Sequence, residues 1–399
     1  MYLIHFICHS LLFLNTQKTE IFVLYGLEVV FFVTSYFVYR FVYKNLSRLV
    51  FNNMQMLLTI SFIMLARLDT DLAKRQLFMA AAGLFLCLIV PFVIEKFSYI
   101  DRLGWGYGIL GLILLFTVFI PKIGVEKYGA SNWIQIGSVT LQPSEFVKII
   151  FVFFIAALLS GSTEFKKLVK ITVVAAVYVL VLVLERDLGG ALIFFVTYLC
   201  VLYAATSRLL YVITGLGAFS VASVIAYRMF SHVRVRVQAF LDPWSDIDSG
   251  GYQVASSLFA IGTGGWFGMG LGKGLPQSIP VRESDFIFSA ISEEMGGIFA
   301  ICLILVCLSC FIMFVNIAMK MKRLFYKLTA LGLSVIYIFQ VFLTIGGAIK
   351  FIPSTGVTLP LVSYGGSSVL STIFLFSIIQ GMYVLNQDEV RANEEKEGY

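Results

Sequence analysis

FIFSAISEEMGGIFAICLILVCLSCFIMFVNIAM, residues 286–319, has Glu293 and Glu294 as its only charges and runs apolar from Gly297 until Lys320. About 20 apolar residues cross the hydrocarbon of a bilayer, so this stretch reads as a membrane span. Similar runs, bounded by charge or turn residues, fall at about 21–43, 54–68, 77–94, 105–120, 145–160, 168–184, 188–205, 209–229, 328–349 and 368–385, giving eleven candidate spans with the first. The composition agrees: of 399 residues 59% are hydrophobic and 13% charged, with a mean hydropathy of +0.92. Soluble domains lie near ~45–50% apolar and ~25% charged. A surface this apolar has lipid as its solvent, which excludes a soluble enzyme, a nucleic-acid binder and a disordered scaffold. The expected fold is an all-α polytopic membrane protein, because an open sheet edge in hydrocarbon leaves backbone groups unsatisfied.

Residues 1–14 (MYLIHFICHSLLFL) are apolar but short for a full span. They lack a basic leader and a small-residue cleavage site, so they are expected to be a partial helix rather than a signal peptide. The six cysteines lie in apolar runs and read as small buried hydrophobes.

Positive charge gathers in cytoplasmic loops. Arg40, Lys44 and Arg48; Lys96 and Arg102; Lys166, Lys167 and Lys170; Arg208; and Lys320, Lys322, Arg323 and Lys327 occupy alternate connections. These are assigned inside, with the acidic tail after residue 385. The long connections 121–144, 230–285 and 350–367 then fall outside, and function is expected there. They contain seven of the eight prolines, so their backbones are shaped rather than slack. Lys122, Lys127, Arg186, Arg228, Arg234, Arg236, Lys273, Arg282 and Lys350 put cations on the side where sorting disfavours them. An anionic ligand on the outer face accounts for that.

GMGLGKG (268–274) does not match a P-loop, which needs Gly at Phe267 and Ser or Thr at Gly274, and a glycine-shaped turn is the better reading. His5 and His9 stand at i, i+4, with metal ligation disfavoured on spacing alone. Charges near a membrane need a partner or a purpose, and four groups stand out. Glu145 and Lys148, at i, i+3 past Pro143, form either an ion pair at a helix start or part of a site, with Ser144 placed to cap the helix. Glu185, Arg186 and Asp187 crowd a turn and read as a structural cluster. Arg234 and Arg236, two apart and close to Asp242, Asp246 and Asp248, present guanidiniums suited to phosphate from an extended or helix-end segment, or join a loop ion-pair network. Asp285, where a long loop turns into an apolar helix, reads as an N-cap or first-turn residue that the helix dipole keeps ionised.

Read together and in order, YGASNWIQIGSVTLQPSEFVKI, ERDLGGALIFF, RVRVQAFLDPWSD with GGYQ, AIGTGGWFGMGLGKG, ESDFIFSAISEEMGG and FIPSTGVTLPLVSYGGSS resemble the SEDS family (shape, elongation, division and sporulation). The resemblance runs over about residues 54–385. It implies a ten-helix core there, with a large outer loop at about 230–285. Residues 1–53 are left for at least one additional N-terminal membrane helix, and 386–399 for a cytoplasmic tail. It further implies a peptidoglycan glycosyltransferase of the bacterial cytoplasmic membrane, multi-pass, with an extracellular catalytic face. Such an enzyme polymerises lipid II with inversion and releases undecaprenyl pyrophosphate.

By the same resemblance Asp285 is the essential carboxylate, and Trp133, Glu145, Lys148, Arg234 and Arg236 fall on the family's motif positions as substrate-binding candidates. The chain departs from the common pattern at Asn132, Ser256, Val281 and Thr344. Asp285 is expected to take the acceptor proton while Arg234, Arg236 and Lys148 oppose leaving-group charge. No cofactor is firmly implied; a divalent cation, Mg2+ or Mn2+, is an option for sharing that charge. The implied partners are lipid II, the undecaprenyl pyrophosphate-linked glycan and a class B penicillin-binding protein, a transpeptidase. The rival readings are a lipid II flippase, which would need a polar path through the bilayer, and a non-catalytic scaffold of the wall-synthesis machinery.

Overall fold

The computed structural model describes residues 1–97, 99–127, 130–137, 139–244 and 251–397. Among them, eleven helical segments are long and apolar enough to cross a membrane. Outside these lies the short apolar helix α1 (Tyr2–Thr16), joined by a tight left-handed turn at Gln17 to the first span, α2 (Thr19–Val42). Ten spans follow: α3 (Arg48–Leu68), α4 with α5 (Thr70–Cys87, Val90–Lys96), α6 with its flanking turns (Gly104–Phe116), α7 (Pro143–Gly161), α8 (Phe165–Leu184), α9 (Leu188–Thr206), α10 (Leu209–Met229), α13 (Ile287–Lys320), α14 (Leu324–Ala348) and α15 (Gly366–Glu397). Two shorter helices, α11 (Ser231–Leu241) and α12 (Tyr252–Gly264), occupy the long connection before α13.

Burial separates centre from rim. The apolar windows of α3, α7, α14 and α15 are 67–78% buried within the chain, whereas that of α10 is not buried at all. A helix apolar all round with no protein neighbour on most faces is solvated by lipid. The central α7 packs on α6, α9, α14 and α15, and its first turn, with Pro143 at a position where no backbone N–H is needed, faces the start of α15. The tail after residue 385 continues α15 rather than forming a separate segment.

Three features differ from expectation. A three-stranded antiparallel sheet, β1 (Gly124–Lys127), β2 (Ala130–Ile136) and β3 (Val139–Leu141), stands in the connection before α7. It lies outside the spans, so its edges need not meet lipid, and Ser131 N–H donates to Glu185 O at 3.0 Å, tying it to the α8–α9 turn. Ser144 does not cap α7, whose N-cap is Gln142 without a side-chain bond. Cysteine burial is uneven: Cys302 is exposed, whereas Cys307 and Cys310, with two residues between them, are fully buried.

The long α13 is broken at Gly296, at φ +85° and ψ 169°, a conformation almost confined to glycine. A Cβ there would strike the backbone of Trp266, Phe267 and Gly268. Gly296→Ala should therefore lower stability by at least about 1–3 kcal/mol from backbone strain alone, read as a fall in melting temperature. An unchanged melting temperature would mean that the break is not required.

Candidate active site

Helices α7, α9 and α15 begin, and α14 ends, at one end of the bundle, where the turn before α13 and the 350–365 connection also lie. On α7, Lys148 Nζ meets Glu145 Oε2 at 2.7 Å with both side chains nearly dry, 4% and 12% exposed. Lys148 also donates to Gln340 Oε1 on α14 (2.8 Å), and Ser371 Oγ on α15 donates to Glu145 Oε2 (2.8 Å). Gln340 Nε2 in turn donates to Thr358 O (3.0 Å), so one ion pair joins three helices and a loop. A pair this desolvated is sustained by such added bonds.

Asp187, read from sequence as part of a structural cluster, caps α9: Gly190 N–H donates to its Oδ1 at 2.7 Å. Its Oδ2 accepts from Asn132 Nδ2 (3.1 Å), Gln142 Nε2 (3.3 Å) and Ser144 Oγ (3.3 Å), which binds sheet, α7 and α9 together. Beside it Glu185 is fully buried with neither oxygen partnered among the described residues. Burial, reinforced by Asp187, pushes its carboxyl up to about 9, so it is protonated at neutral pH.

Asp285 is neither cap nor first-turn residue. It lies in the turn 281–286, which Val281 enters at φ +53°, and α13 begins at Ile287 with Phe286 as N-cap. Asp285 is partly open to solvent, yet protein surrounds its carboxyl so deeply that burial raises its pKa; Ser284 and Arg236 oppose the rise and Glu283 adds to it. Arg236 lies on α11 and donates from Nη1 to Ser354 O at 2.7 Å. Burial lowers the pKa of its guanidinium, while Asp285 and Asp187 hold it up. Gly356, at φ +73°, stands between the two: a Cβ there would lie 3.6 Å from both Arg236 Nη2 and Asp285 Oδ2. A Cβ would meet both at ordinary contact distance, so it is the positive φ rather than the space that calls for glycine here.

Gly356 also lines a small cleft together with Gln142, Ser144, Glu145, Lys148, Asp187 and Thr358. The starts of α7 and α9 border it, with Gln142 N–H bonded to Ser367 Oγ at the start of α15. Helix N-termini favour negative charge, which Asp187 at the start of α9 and Glu145 in the first turn of α7 already supply in part. Around the cleft the buried Asn132 Oδ1 and Thr355 Oγ1 have no partner among the described residues, so polar groups are left for a polar ligand.

The structure thus brings together Asp285, Arg236, Lys148 and Glu145. Arg234 is exposed: on a helix, residues two apart point to different sides, so in place of two guanidiniums presented together one is half-buried and one points outward. Trp133 sits on β2 opposite Val125, one residue past Asn132, which bonds Asp187; strand alternation turns Trp133 to the other face. Asp246 and Asp248 lie outside the described residues. Sequence reading did not single out Gln340, Ser371, Thr358 or Gly356 as site residues; only the last two lay within a quoted motif. The glycine turn is occupied by the chain itself: Gly272 N–H donates to Glu294 Oε2 and Leu275 N–H to Glu293 Oε1, both at 3.0 Å, while Arg67 pairs with Glu294 at 2.9 Å.

The chain is 35% identical over 324 residues to the peptidoglycan glycosyltransferase RodA of Mycobacterium tuberculosis, covering 77% of this chain and 69% of that one. Its fold matches that of RodA from Thermus thermophilus, with TM-score 0.65 and 24% identity over 86% of this chain and 97% of that one. A chain from a solved structure described as "Structural coordination of polymerization and crosslinking by a peptidoglycan synthase complex" matches with TM-score 0.71 and 24% identity, covering 86% and 98%. The model of the FtsW, RodA and SpoVE proteins, described as "Cell cycle protein", matches residues 43–387, and the chain therefore belongs to this family, the SEDS glycosyltransferases.

Proposed function

We propose that this membrane-embedded peptidoglycan glycosyltransferase polymerises lipid II at the outer end of its bundle, with Asp285 as general base. An acceptor sugar hydroxyl attacks the donor's anomeric carbon, the new C–O bond forms with inversion, and the bond to pyrophosphate breaks. The hydroxyl proton goes to Asp285 and the electron pair to the departing undecaprenyl pyrophosphate. The observation that supports this best is the placement of Asp285 and Arg236 on either side of Gly356, which lines a cleft together with Lys148 and the starts of α7 and α9. A carboxylate with a raised pKa is the stronger base, and a guanidinium beside it suits a pyrophosphate.

Arg236, Lys148 and the helix N-termini then oppose leaving-group charge. A divalent cation sharing that role needs free oxygen ligands, and the cleft carboxylates Glu145 and Asp187 are already engaged by Lys148, Ser371, Gly190, Asn132, Gln142 and Ser144. A cation on Asp285 would compete with its role as base, so the proposed step uses none. A class B penicillin-binding protein is the proposed partner, supported by the likeness to a chain from a polymerising and crosslinking complex. The outer-face assignment rests on the basic loops at the opposite end.

The two arginines test this reading. Arg236→Gln should lower kcat/KM for lipid II about 10–100-fold, the loss of one charge-assisted contact, whereas the exposed Arg234→Gln should change it by less than about threefold. Asp285 must be ionised to act, so activity should fall on acidification through a value above the ordinary carboxylate range, near ~4. Removing Arg236, whose attraction holds that value down, should move the acid limb to higher pH. Equal effects of the two substitutions, or an unmoved limb, would contradict the assignment.

A further inference from the structure

The family match begins at residue 43, and the hairpin of α1 and α2 before it contains the most concentrated group of metal-ligating side chains among the described residues. His5 Nε2 lies 2.6 Å and His9 Nε2 3.2 Å from the same oxygen, Glu28 Oε2. All three residues are at most 1% exposed. From Thr19 to Glu28 at about 1.5 Å per residue is roughly 14 Å, and from Thr16 back to His5 roughly 16 Å. The cluster thus sits near mid-depth of a bilayer core about 30 Å thick, where ionisable side chains mark a function by default.

Its hydrogen bonding is incomplete in a particular way. His9 Nδ1 meets His5 O at 3.1 Å, and a carbonyl only accepts, so Nδ1 has the proton. In the neutral ring Nε2 then holds a lone pair and, with no hydrogen-bond partner of its own, points at Glu28 Oε2, which already meets His5 Nε2 at 2.6 Å. Two electron-rich atoms facing each other in a dry site call for a cation between them, either a proton, which makes His9 an imidazolium paired with Glu28, or a metal ion. Glu28 Oε1 is likewise unpartnered. The backbone bond to Nδ1 is the second-shell contact that fixes the tautomer of metal-bound imidazoles.

We propose that His5, His9 and Glu28 form a binding site for one transition-metal dication of the Zn2+ type. Two imidazoles and a carboxylate are a borderline donor set that suits Zn2+, Co2+ or Ni2+ and not Mg2+ or Ca2+. The ligand atoms all lie within 4.8 Å of one another. The separation between His9 Nε2 and Glu28 Oε2 is already close to the edge of a tetrahedron with bonds of about 2.0–2.1 Å. The shorter contact of His5 to Glu28 must open by about 0.7 Å as the cation displaces the proton between them. The unpartnered Glu28 Oε1 offers the fourth donor atom.

Such a cation staples α1 to α2, and the hairpin braces the outer end of the molecule. Asn15 Nδ2 at the end of α1 donates to Leu271 O of the glycine turn (3.0 Å), and Gln55 of α3 donates to Phe32 O and Ser35 Oγ of α2. The predicted role is structural and separate from Asp285.

The test uses full-length protein with a histidine-free tag, in nanodiscs, after dialysis against a weak chelator. Elemental analysis should find one zinc per chain, and protein produced with Co2+ should show the visible bands of four-coordinate cobalt. His9→Gln and Glu28→Gln should each lower metal content at least tenfold, while His232→Gln in the outer connection retains it. Should a variant fail to fold, the wild type decides. A strong chelator should lower its melting temperature, and Zn2+ but not Mg2+ should restore it. Wild-type protein that holds no stoichiometric metal, or whose melting temperature ignores both chelator and Zn2+, overturns the proposal. So does loss of metal from His232→Gln equal to that from His9→Gln.

Discussion

Asp285→Asn is expected to lower lipid II polymerisation by about 10²–10⁴-fold, the usual contribution of a general base, while leaving the protein folded. The amide fills the same space but cannot take a proton. Folding should be unaffected or slightly favoured, and the sign follows from burial. The pKa of Asp285 is raised in the fold, so its ionised form is less favourable there than in the unfolded chain, a cost present at pH above the raised value. A neutral side chain removes that cost. Melting temperature and turnover measured together check both halves: wild-type turnover in a folded variant would remove Asp285 from the chemistry.

The second large effect belongs to the pair on α7. Replacing Glu145 or Lys148 singly strands a nearly dry charge, at a cost of about 3–5 kcal/mol. Replacing both, as Glu145→Leu with Lys148→Met, should recover most of that stability. What remains lost is about 1 kcal/mol for each bond to Gln340 and Ser371. The recovered double variant should nevertheless be inactive, because Lys148 is the cationic side chain that lines the cleft. Thermal melts and turnover on the two singles and the double separate the roles. A stable and fully active double variant would reduce both residues to scaffolding.

The bundle was readable because lipid makes burial uniform along a span: the run at 209–229 coincides with α10, which touches little else in the chain. Ends were less readable. The last run stopped at 385 on losing hydropathy, whereas helix-forming residues continue α15 to Glu397. The sheet of residues 124–141 was missed because strands this short, in a loop punctuated by glycine, leave little periodicity to read.

In the site, the Glu145–Lys148 pair was legible because both residues share one helix face. Asp285 was found by motif but given the wrong local geometry, since the positive φ at Val281 that sets its turn has no signal in a valine. Arg234 and Arg236 alternate as strand residues do, and only the helical backbone shows that one of them turns inward to Gly356. Gln340, Ser371 and Glu28 lie in apolar spans far from their partners, and no spacing rule connects them.

The most direct measurement of the central claim is glycan formation from purified lipid II by the purified protein in detergent micelles, where no leaflets exist to be crossed. It is run with and without a class B penicillin-binding protein, for the wild type and Asp285→Asn. The account predicts glycan strands with stoichiometric undecaprenyl pyrophosphate from the wild type and almost none from the variant. Absence of polymer from the wild type under both conditions, with lipid II moved between leaflets once the protein is in vesicles, would contradict it in favour of a flippase.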